Sequence, residues 1–145
     1  MLGTLGLVWL GIALVLAALR RRPSLFVAVL AADATADLLA GLLKRVTGVE
    51  RPPLRFADLH PLVHVPHDGS FPSGHAATSF ACATVLAWFA PRFAAAFFLL
   101  AGAIAYSRLY VAVHYPLDVV GGAVLGTVVA LALLAVFRRP PRFAR

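Results

Sequence analysis

The chain has 145 residues, of which 61% are hydrophobic and only 13% are charged, and its mean hydropathy is +0.89. This composition is too apolar for an ordinary soluble domain, and the length is too short for two domains, so we expect one membrane-embedded domain over residues 1–145. The net charge of +7 does not indicate nucleic-acid binding, because the basic residues cluster at the ends of apolar runs, where membrane proteins carry topogenic charges. Anionic lipid is the expected partner.

Five apolar runs are long enough to be helices that cross a bilayer, with some latitude for tilt. They cover about residues 2–19, 24–43, 74–90, 93–109 and 117–137. The first run lacks a basic N-terminal region and no small-residue cleavage pattern follows it, so we interpret it as a span and not as a signal peptide. The predicted fold class is all-α, a polytopic membrane helix bundle of about five transmembrane helices.

The basic residues between the spans predict the orientation of a multi-pass protein in the cell membrane. The connections at 20–22 and 91–92 and the tail 138–145 hold eight cations and no acidic residue. The other side holds five cations together with Glu50, Asp58 and Asp68. By the positive-inside bias, we expect a cytoplasmic C-terminus and an extracytoplasmic N-terminus.

Three polar clusters lie at the ends of predicted spans. They are Lys44 with Arg51 and Pro52; Pro72, Ser73, Gly74 and His75; and Ser107 and Arg108 followed by His114 and Asp118. Alternating spans bring all three clusters to the extracytoplasmic face. Together they supply three permanent cations, two imidazoles and one carboxylate. A phosphoryl-transfer site needs such groups to hold a phosphate dianion, to attack its phosphorus atom and to protonate the leaving group. Three cations make a metal or another cofactor unnecessary for this chemistry.

The first cluster places two cations at the mouth of the second span. If the helix continues, Lys44 and Arg51 lie on one face within about 20° of one another, and Pro52 ends the helix. Such a pair is suited to gripping separate oxygens of one phosphate. The alternative is a pair of interfacial anchors that extend to the lipid headgroups, and the presence of the other two clusters favours the phosphate clamp.

The second cluster precedes the third span. Ser73 is suited to be its N-cap, and the amides that follow form an anion site at the positive end of the helix dipole. Gly74 lets the backbone approach a phosphate closely. An ordinary helix start explains Pro72 and Ser73 but not His75, because an ionisable side chain in the first turn of a membrane helix is costly without a partner or a task.

The third cluster pairs an imidazole with a carboxylate. His114 and Asp118 are one helical turn apart, and Pro116 suits the first turn of the fifth span. If the chain turns there, the carboxylate accepts a hydrogen bond from one ring nitrogen and leaves the other as a nucleophile. The alternative is a buried structural pair.

These motifs, K-x6-R-P, P-S-G-H and S-R-x5-H-x3-D in this order, resemble the signature of the type 2 phosphatidic acid phosphatase superfamily. That superfamily comprises membrane lipid phosphatases, soluble acid phosphatases and vanadium haloperoxidases. The resemblance extends over residues 44–118, and every motif position is filled. Membrane members often have six spans, whereas five are predicted here.

The resemblance implies roles for individual residues. His114 attacks phosphorus to give a phosphohistidine, Asp118 orients His114, and His75 protonates the leaving oxygen and later activates water. Ser107 either hydrogen-bonds the phosphate or caps the end of the fourth helix. The implied phosphate-binding residues are Lys44, Arg51, Ser73, Gly74, Ser107 and Arg108.

The implied activity is metal-independent hydrolysis of a terminal phosphate on a lipid phosphate or diphosphate. Undecaprenyl diphosphate, phosphatidic acid and phosphatidylglycerol phosphate are candidate substrates, and outward-facing chemistry in a small bundle favours the polyprenyl diphosphate. A vanadate-dependent haloperoxidase is a disfavoured alternative, because membrane burial suits lipid better than halide and peroxide. A non-enzymatic lipid-phosphate binder or flippase is the other alternative, although binding alone does not require both imidazoles and the aspartate.

Two further groups of polar residues lie outside the motifs. The Pro-rich loop 53–71 contains His60, His64, His67 and Asp68. Their spacing resembles that of zinc ligands, but the loop also lies where a lid over the lipid headgroup would be, and we favour the lid. Asp33 and Asp37 are one turn apart inside the second span, where we expect them to face the bundle interior as a structural or substrate-tuning polar network.

Small residues in the third and fifth predicted spans suggest that helices pack closely there. Gly122 and Gly126 form a G-x-x-x-G motif that lets another helix approach, by default within the chain and alternatively across a homo-oligomer. Cys82 is expected to be a small core residue.

Overall fold

The computed structural model describes residues 4–56 and 58–137, which form a bundle of helices without strands. The helices are α1 (Thr4–Leu19), α2 (Pro23–Thr47), the short α3 (Pro52–Arg55), α4 (Gly74–Phe89), α5 (Ala94–Tyr110) and α6 (Pro116–Phe137). A 3-10 turn, Pro91–Phe93, joins α4 to α5. The predicted all-α membrane bundle is confirmed, and the five apolar runs correspond to α1, α2, α4, α5 and α6.

The helices differ in length and hydropathy, which decide whether a helix can cross a bilayer. Within the described residues, the segments Pro23–Arg55, Pro91–Tyr110 and Pro116–Val136 are long and apolar enough to do so, whereas the apolar segment Gly6–Leu19 is shorter. The 16 residues of α4 make about 24 Å of helix, against a hydrocarbon core of about 30 Å. In the part of the chain that the structure describes, three of the five helices therefore meet the length and composition of a full span, and α1 and α4 are shorter.

The short α4 is the centre of the bundle and packs against α1, α2, α5 and α6. Its small residues Ala76, Ala77 and Ala81 are fully buried. Because protein and not lipid surrounds most of α4, this helix does not need the apolar surface of a lipid-facing span.

The helices α4 and α6 approach closely at the G-x-x-x-G motif. A Cβ atom on Gly122 would collide with the backbone oxygen of Ser73, and one on Gly126 would collide with the backbone oxygen of Ala77. Only glycine lets the two backbones approach in this way. The prediction that this motif packs within the chain is confirmed.

The end of α2 differs from the sequence prediction. Gly48 adopts a left-handed conformation with φ of 58°, and its N–H bonds to the carbonyl of Lys44, which terminates α2. Arg51 is therefore extended, and Pro52 begins α3 instead of ending α2. The expectation that one helix carries Lys44 and Arg51 on a common face is wrong, because a glycine C-cap intervenes.

The connections that carry the arginines 20–22 and 92 lie at the end of the bundle opposite to the C-terminus of α2. Arg20 donates a hydrogen bond to the carbonyl of Phe89, which brings these two connections together. Residues 2 and 3 of the first predicted span and the basic tail 138–145 lie outside the described residues, so the sidedness stays a prediction.

Candidate active site

A cavity of about 560 Å³ opens where α2 ends and α4 begins. Each of the three polar clusters contributes to its wall, although they are far apart in the sequence. The predicted site residues that line it are Lys44, Arg51, Gly74, His75, Arg108 and His114. The two imidazoles and three cations therefore face one space.

His114 stands between a carboxylate and a guanidinium. Its Nδ1 lies 3.3 Å from Oδ2 of Asp118, and its Nε2 lies 3.2 Å from Nη1 of Arg51. Because a guanidinium only donates hydrogen bonds, Nε2 is the acceptor here and the ring proton resides on Nδ1, directed at Asp118. This tautomer leaves the lone pair of Nε2 available at the cationic side of the site.

The electrostatic surroundings keep His114 neutral. Burial, together with the positive charges of Arg51 and Lys44, lowers the pKa of His114 to about 4, although hydrogen bonding and attraction by Asp118 oppose that shift. A neutral imidazole is the nucleophilic form. The ring is therefore uncharged across the neutral pH range.

We expect Nε2 of His114 to become protonated only as the pH falls through about 4, since the pKa of this imidazole lies below the ordinary value. Titration of the ¹⁵N-labelled imidazole of the resting protein by NMR measures this, with a His114→Gln variant to assign the signal. In an Arg51→Met variant the pKa should rise, because one of the lowering charges is removed. A wild-type midpoint near 6.5 would contradict the assignment.

Asp118 is fixed by three further hydrogen bonds. Its Oδ2 accepts from the backbone N–H of Tyr115 at 2.8 Å and from the hydroxyl of Ser70. Its backbone carbonyl accepts from the N–H of Ser73 at 2.9 Å. The backbone of Asp118 is thus tied to the start of α4, which couples the second cluster to the third.

Ser70 is a site residue that the sequence analysis missed. It is fully buried, its Oγ contacts the Asp118 carboxylate, and it lies 3.4 Å from Nδ1 of His114. Its backbone N–H donates to the carbonyl of Val49 at 2.7 Å, which anchors the end of the loop. Its place three residues before Ser73 is the one local feature of the sequence that points to it.

Removal of the Ser70 hydroxyl is expected to slow catalysis without weakening binding. A hydrogen bond to a charged group contributes about 1.5–3 kcal/mol, so Ser70→Ala should lower kcat about tenfold or more. KM should change little, because Ser70 positions Asp118 and does not line the cavity. Steady-state kinetics, with Ser24→Ala at the exposed start of α2 as the matched control, measures the difference. A rise in KM at constant kcat would argue against this positioning role.

The two cations of the first cluster grip one carboxylate. Lys44 Nζ lies 2.7 Å from one oxygen of Asp68, and Arg51 Nη2 lies 2.7 Å from the other. Burial alone would raise the pKa of the Asp68 carboxyl, but hydrogen bonds and attraction from Lys44 and Arg51 outweigh it and hold the pKa below its usual value. The pair therefore binds two oxygens of a single anion, as a phosphate clamp must.

Arg51 contacts several groups of the site at once. Its side chain is only 2% exposed, and Nη1 also donates to the carbonyl of Val113 at 2.9 Å. The same guanidinium thus contacts the carboxylate of the loop and the ring of His114. It links the ion pair with Asp68 to the ring of His114.

The start of α4 offers backbone donors to the cavity. Ser73 is the N-cap of α4, as the sequence predicted, and its hydroxyl accepts from the N–H of Ala76 at 3.5 Å. Gly74 and His75 follow in the first turn and line the cavity. The free amides of this turn provide the positive end of the helix dipole.

Ser107 holds Arg108 in place. Its hydroxyl oxygen accepts from Nε and Nη2 of Arg108 at 3.1 and 3.0 Å and donates to the carbonyl of Ile104 at 2.6 Å. Arg108 lines the cavity, whereas Ser107 lies behind it. The contacts of Ser107 are therefore those of a residue that orients a guanidinium.

The geometry agrees with comparisons to known proteins. The model of the PAP2 superfamily, the type 2 phosphatidic acid phosphatases, matches residues 24–142. The chain belongs to the PAP2 superfamily.

Individual relatives of this PAP2 protein are named as lipid phosphatases. A lipid A 1-phosphatase from Rhizobium johnstonii is 38% identical over 107 residues, which cover 70% of this chain and 43% of that protein. An undecaprenyl-diphosphatase from Sulfolobus acidocaldarius is 31% identical over 121 residues, which cover 83% of this chain and 59% of that protein. This chain thus spans less than two thirds of the length of these relatives.

A solved structure has the same fold. The crystal structure of Aquifex aeolicus LpxE aligns with a TM-score of 0.70 and 29% sequence identity, covering 92% of this chain and 87% of that chain. The helical arrangement that brings the three clusters together is therefore one that a PAP2 protein of known structure shares.

The loop of this PAP2 protein borders the cavity. Val63, His64, Pro66 and Asp68 contribute to the wall. The rings of His64 and His67 lie edge to face with centroids 6.1 Å apart. Within residues 4–56 and 58–137, no three His, Cys, Asp or Glu side chains gather as metal ligands. The position of the loop favours the lid over the zinc site.

The two acidic residues of α2 have different surroundings. Asp33 is 1% exposed and faces the bundle interior as predicted, whereas Asp37 is exposed. Both line the same cavity as the cations. Neither forms an ion pair with Lys or Arg in the described part of the chain. Cys82 is buried in the core, as expected, with its Sγ 3.8 Å from Oδ1 of Asp33.

Proposed function

We propose that this protein is a lipid phosphatase that removes a terminal phosphate from a lipid phosphate or diphosphate through a phosphohistidine on His114. The observation that carries the proposal is the orientation of His114, whose Nδ1 faces Asp118 while Nε2 faces the cations. A structural His–Asp pair would not need its second nitrogen directed into a cationic cavity. The names of the relatives support lipid phosphates as the substrate class.

The first half of the reaction transfers the phosphoryl group to the protein. The lone pair of His114 Nε2 forms a bond to phosphorus while the bond from phosphorus to the leaving oxygen breaks. Protonated His75 donates its proton to that oxygen, and Asp118 stabilises the positive charge that develops on the attacking ring. The lipid alcohol, or the lipid monophosphate when the substrate is a diphosphate, then departs.

The second half returns the protein to its starting state. Neutral His75 accepts a proton from a water molecule as that water attacks phosphorus. The P–N bond breaks, its electron pair returns to Nε2 of His114, and inorganic phosphate leaves. In both halves Lys44, Arg51, Arg108 and the amides at the start of α4 hold the equatorial oxygens, which is where charge accumulates in phosphoryl transfer.

We infer that this site faces the extracytoplasmic side. The support is the charge distribution, since the arginines at 20–22 and 92 lie at the opposite end of the bundle. A green fluorescent protein fused to the C-terminus is expected to fluoresce in cells, because that protein matures in the cytoplasm. Activity of an alkaline phosphatase fusion at the same point would contradict this orientation.

The proposed activity is tested with purified protein in detergent and EDTA. Undecaprenyl diphosphate, phosphatidic acid, phosphatidylglycerol phosphate and a lipid-linked sugar 1-phosphate are offered separately, and release of inorganic phosphate is measured. We expect release from at least one of them without added metal. Loss of activity in EDTA would contradict the metal-independent route. Binding of all four lipids without any release would favour the binder or flippase, and peroxide-dependent halide oxidation that requires vanadate would favour the haloperoxidase.

A further inference from the structure

The cavity continues beyond the phosphate-binding cations along α2. Asp37 lies seven residues before Lys44, and Asp33 lies four residues deeper, so the carboxylates are about 10 and 16 Å further along the helix axis. Asp33, Asp37 and Thr78 line the same space as Lys44 and Arg51. One cavity thus has cations at its mouth and carboxylates at its inner end.

Asp33 has an unused hydrogen-bonding atom at this inner end. Its side chain is 1% exposed, and Oδ2 has no hydrogen-bond partner among the residues that the structure describes. Its other oxygen has only the weak thiol donor of Cys82, at 3.8 Å. A buried carboxylate oxygen without a donor is costly, so a ligand that brings a hydrogen-bond donor into this part of the cavity would be stabilised there.

Asp37 connects this inner end to the phosphate site. Its Oδ1 lies 4.0 Å from where a Cβ atom on Gly74 would be, in the first turn of α4. The first turn of α4, where the phosphate would be held, therefore lies close to Asp37. Asp33 would receive a donor placed one helical turn further in.

The distribution of charge determines which part of a substrate enters the inner end. Carboxylates repel a phosphate dianion, so the phosphate is held at the cations and the alcohol to which it is esterified extends towards Asp37 and Asp33. Carboxylates accept hydrogen bonds from hydroxyl and amide N–H groups. A polyprenyl chain has no such donors and would leave both carboxylates desolvated and unpaired.

We propose that Asp33 and Asp37 form a subsite for hydroxyl or amide donors on the alcohol portion of the substrate. The preferred substrate class is then a lipid-linked sugar 1-phosphate, whose ring carries donors next to the phosphate, over a polyprenyl diphosphate. The inference rests on the proposed phosphatase function and selects among its substrates. It is the opposite of the preference for polyprenyl diphosphate that the sequence suggested.

The test compares kcat/KM for two substrates in detergent, a diacylated glucosamine 1-phosphate and farnesyl diphosphate. The wild-type protein is expected to prefer the glycolipid. Asp37→Ala, which removes an exposed carboxylate, and Asp33→Asn, which keeps the shape of the buried side chain, should each reduce the glycolipid-to-prenyl ratio about tenfold. Asp58→Ala, in the loop outside the cavity wall, serves as the control and should leave the ratio unchanged.

The outcomes separate this inference from the proposed function. If the wild type releases phosphate and both variants keep the wild-type ratio within twofold, the subsite is refuted while the phosphatase function stands. An equal loss of activity on both substrates would also refute it, because a general structural role has no preference for donors. If the wild type releases phosphate from neither compound nor from any other lipid phosphate, the proposed function fails and this inference fails with it.

Discussion

Replacement of His114 by alanine is expected to reduce phosphate release by a factor on the order of 10³ or more, the scale of loss seen when a covalent nucleophile is removed. Its Nε2 is the atom whose lone pair faces the cations, and its hydrogen bond from Arg51 shows that Nε2 carries no proton. Lys44, Arg51 and Arg108 remain in the variant, so binding of the phosphate analogue orthovanadate should persist. The measurement is phosphate release together with vanadate affinity.

Two controls make this result specific. His60→Ala changes an exposed histidine of the loop and should leave turnover near the wild-type rate. His75→Ala should also be slow with lipid substrates, but with p-nitrophenyl phosphate, whose leaving group needs no proton, the first step proceeds and the phosphorylated protein accumulates. Alkali-stable, acid-labile protein-bound phosphate in that variant would identify phosphohistidine. Substantial turnover by His114→Ala, or labelling that survives its removal, would exclude His114 as the nucleophile.

The chain builds an anion site from elements that are individually unremarkable for a membrane protein. α2 delivers Lys44 at its C-terminal end, α4 delivers amides at its N-terminal end, and α5 delivers Arg108 in its last turn. The antiparallel succession of these helices places all three at one end of the bundle. Because the protein supplies fixed positive charge from three helices, we expect the oxygens of a phosphate to be held without rearrangement during the proposed reaction.

The parts of the fold that the sequence predicted are those that depend on local pattern. Apolar runs gave the five long helices to within a few residues, since hydropathy reports burial in lipid or protein directly. The N-cap Ser73 and the helix start at Pro116 were predicted because capping and proline preferences act over one turn. The sequence did not predict that α4 is shorter than a full span. A short helix suffices there because neighbouring helices bury it, and that burial depends on the tertiary structure and not on the sequence of α4 itself.

The parts of the site that were missed depend on long-range contacts through the loop. Asp68 reaches Lys44 across 24 positions, and Ser70 reaches Asp118 across 48. No local rule indicates that a loop aspartate lies across two cations or that a buried serine supports the catalytic carboxylate. The early end of α2 had a local signal in Gly48, but the spacing of Lys44 and Arg51 fitted a continuous helix equally well.

The second large effect is expected at Arg51, where Arg51→Lys should lower kcat/KM about a hundredfold although the charge is conserved. The guanidinium contacts Asp68, the carbonyl of Val113 and the ring of His114 with separate N–H groups. A lysine ammonium has a single nitrogen and cannot reproduce that planar fork. The clamp and the orientation of the nucleophile should therefore both weaken.

Arg51→Ala should cause a larger loss and lower the thermal stability as well, because it leaves buried acceptors without their donor. Arg55→Lys, at the exposed end of α3, is the matched control for the conservative change and should behave like the wild type. Inhibition of turnover by inorganic phosphate measures the loss of phosphate binding. The melting temperature in detergent measures the loss of stability. A weaker phosphate affinity in Arg51→Lys at unchanged melting temperature supports a direct role in binding. Wild-type kinetics in that variant would show that charge alone suffices, and the clamp would then be Lys44 and Arg108.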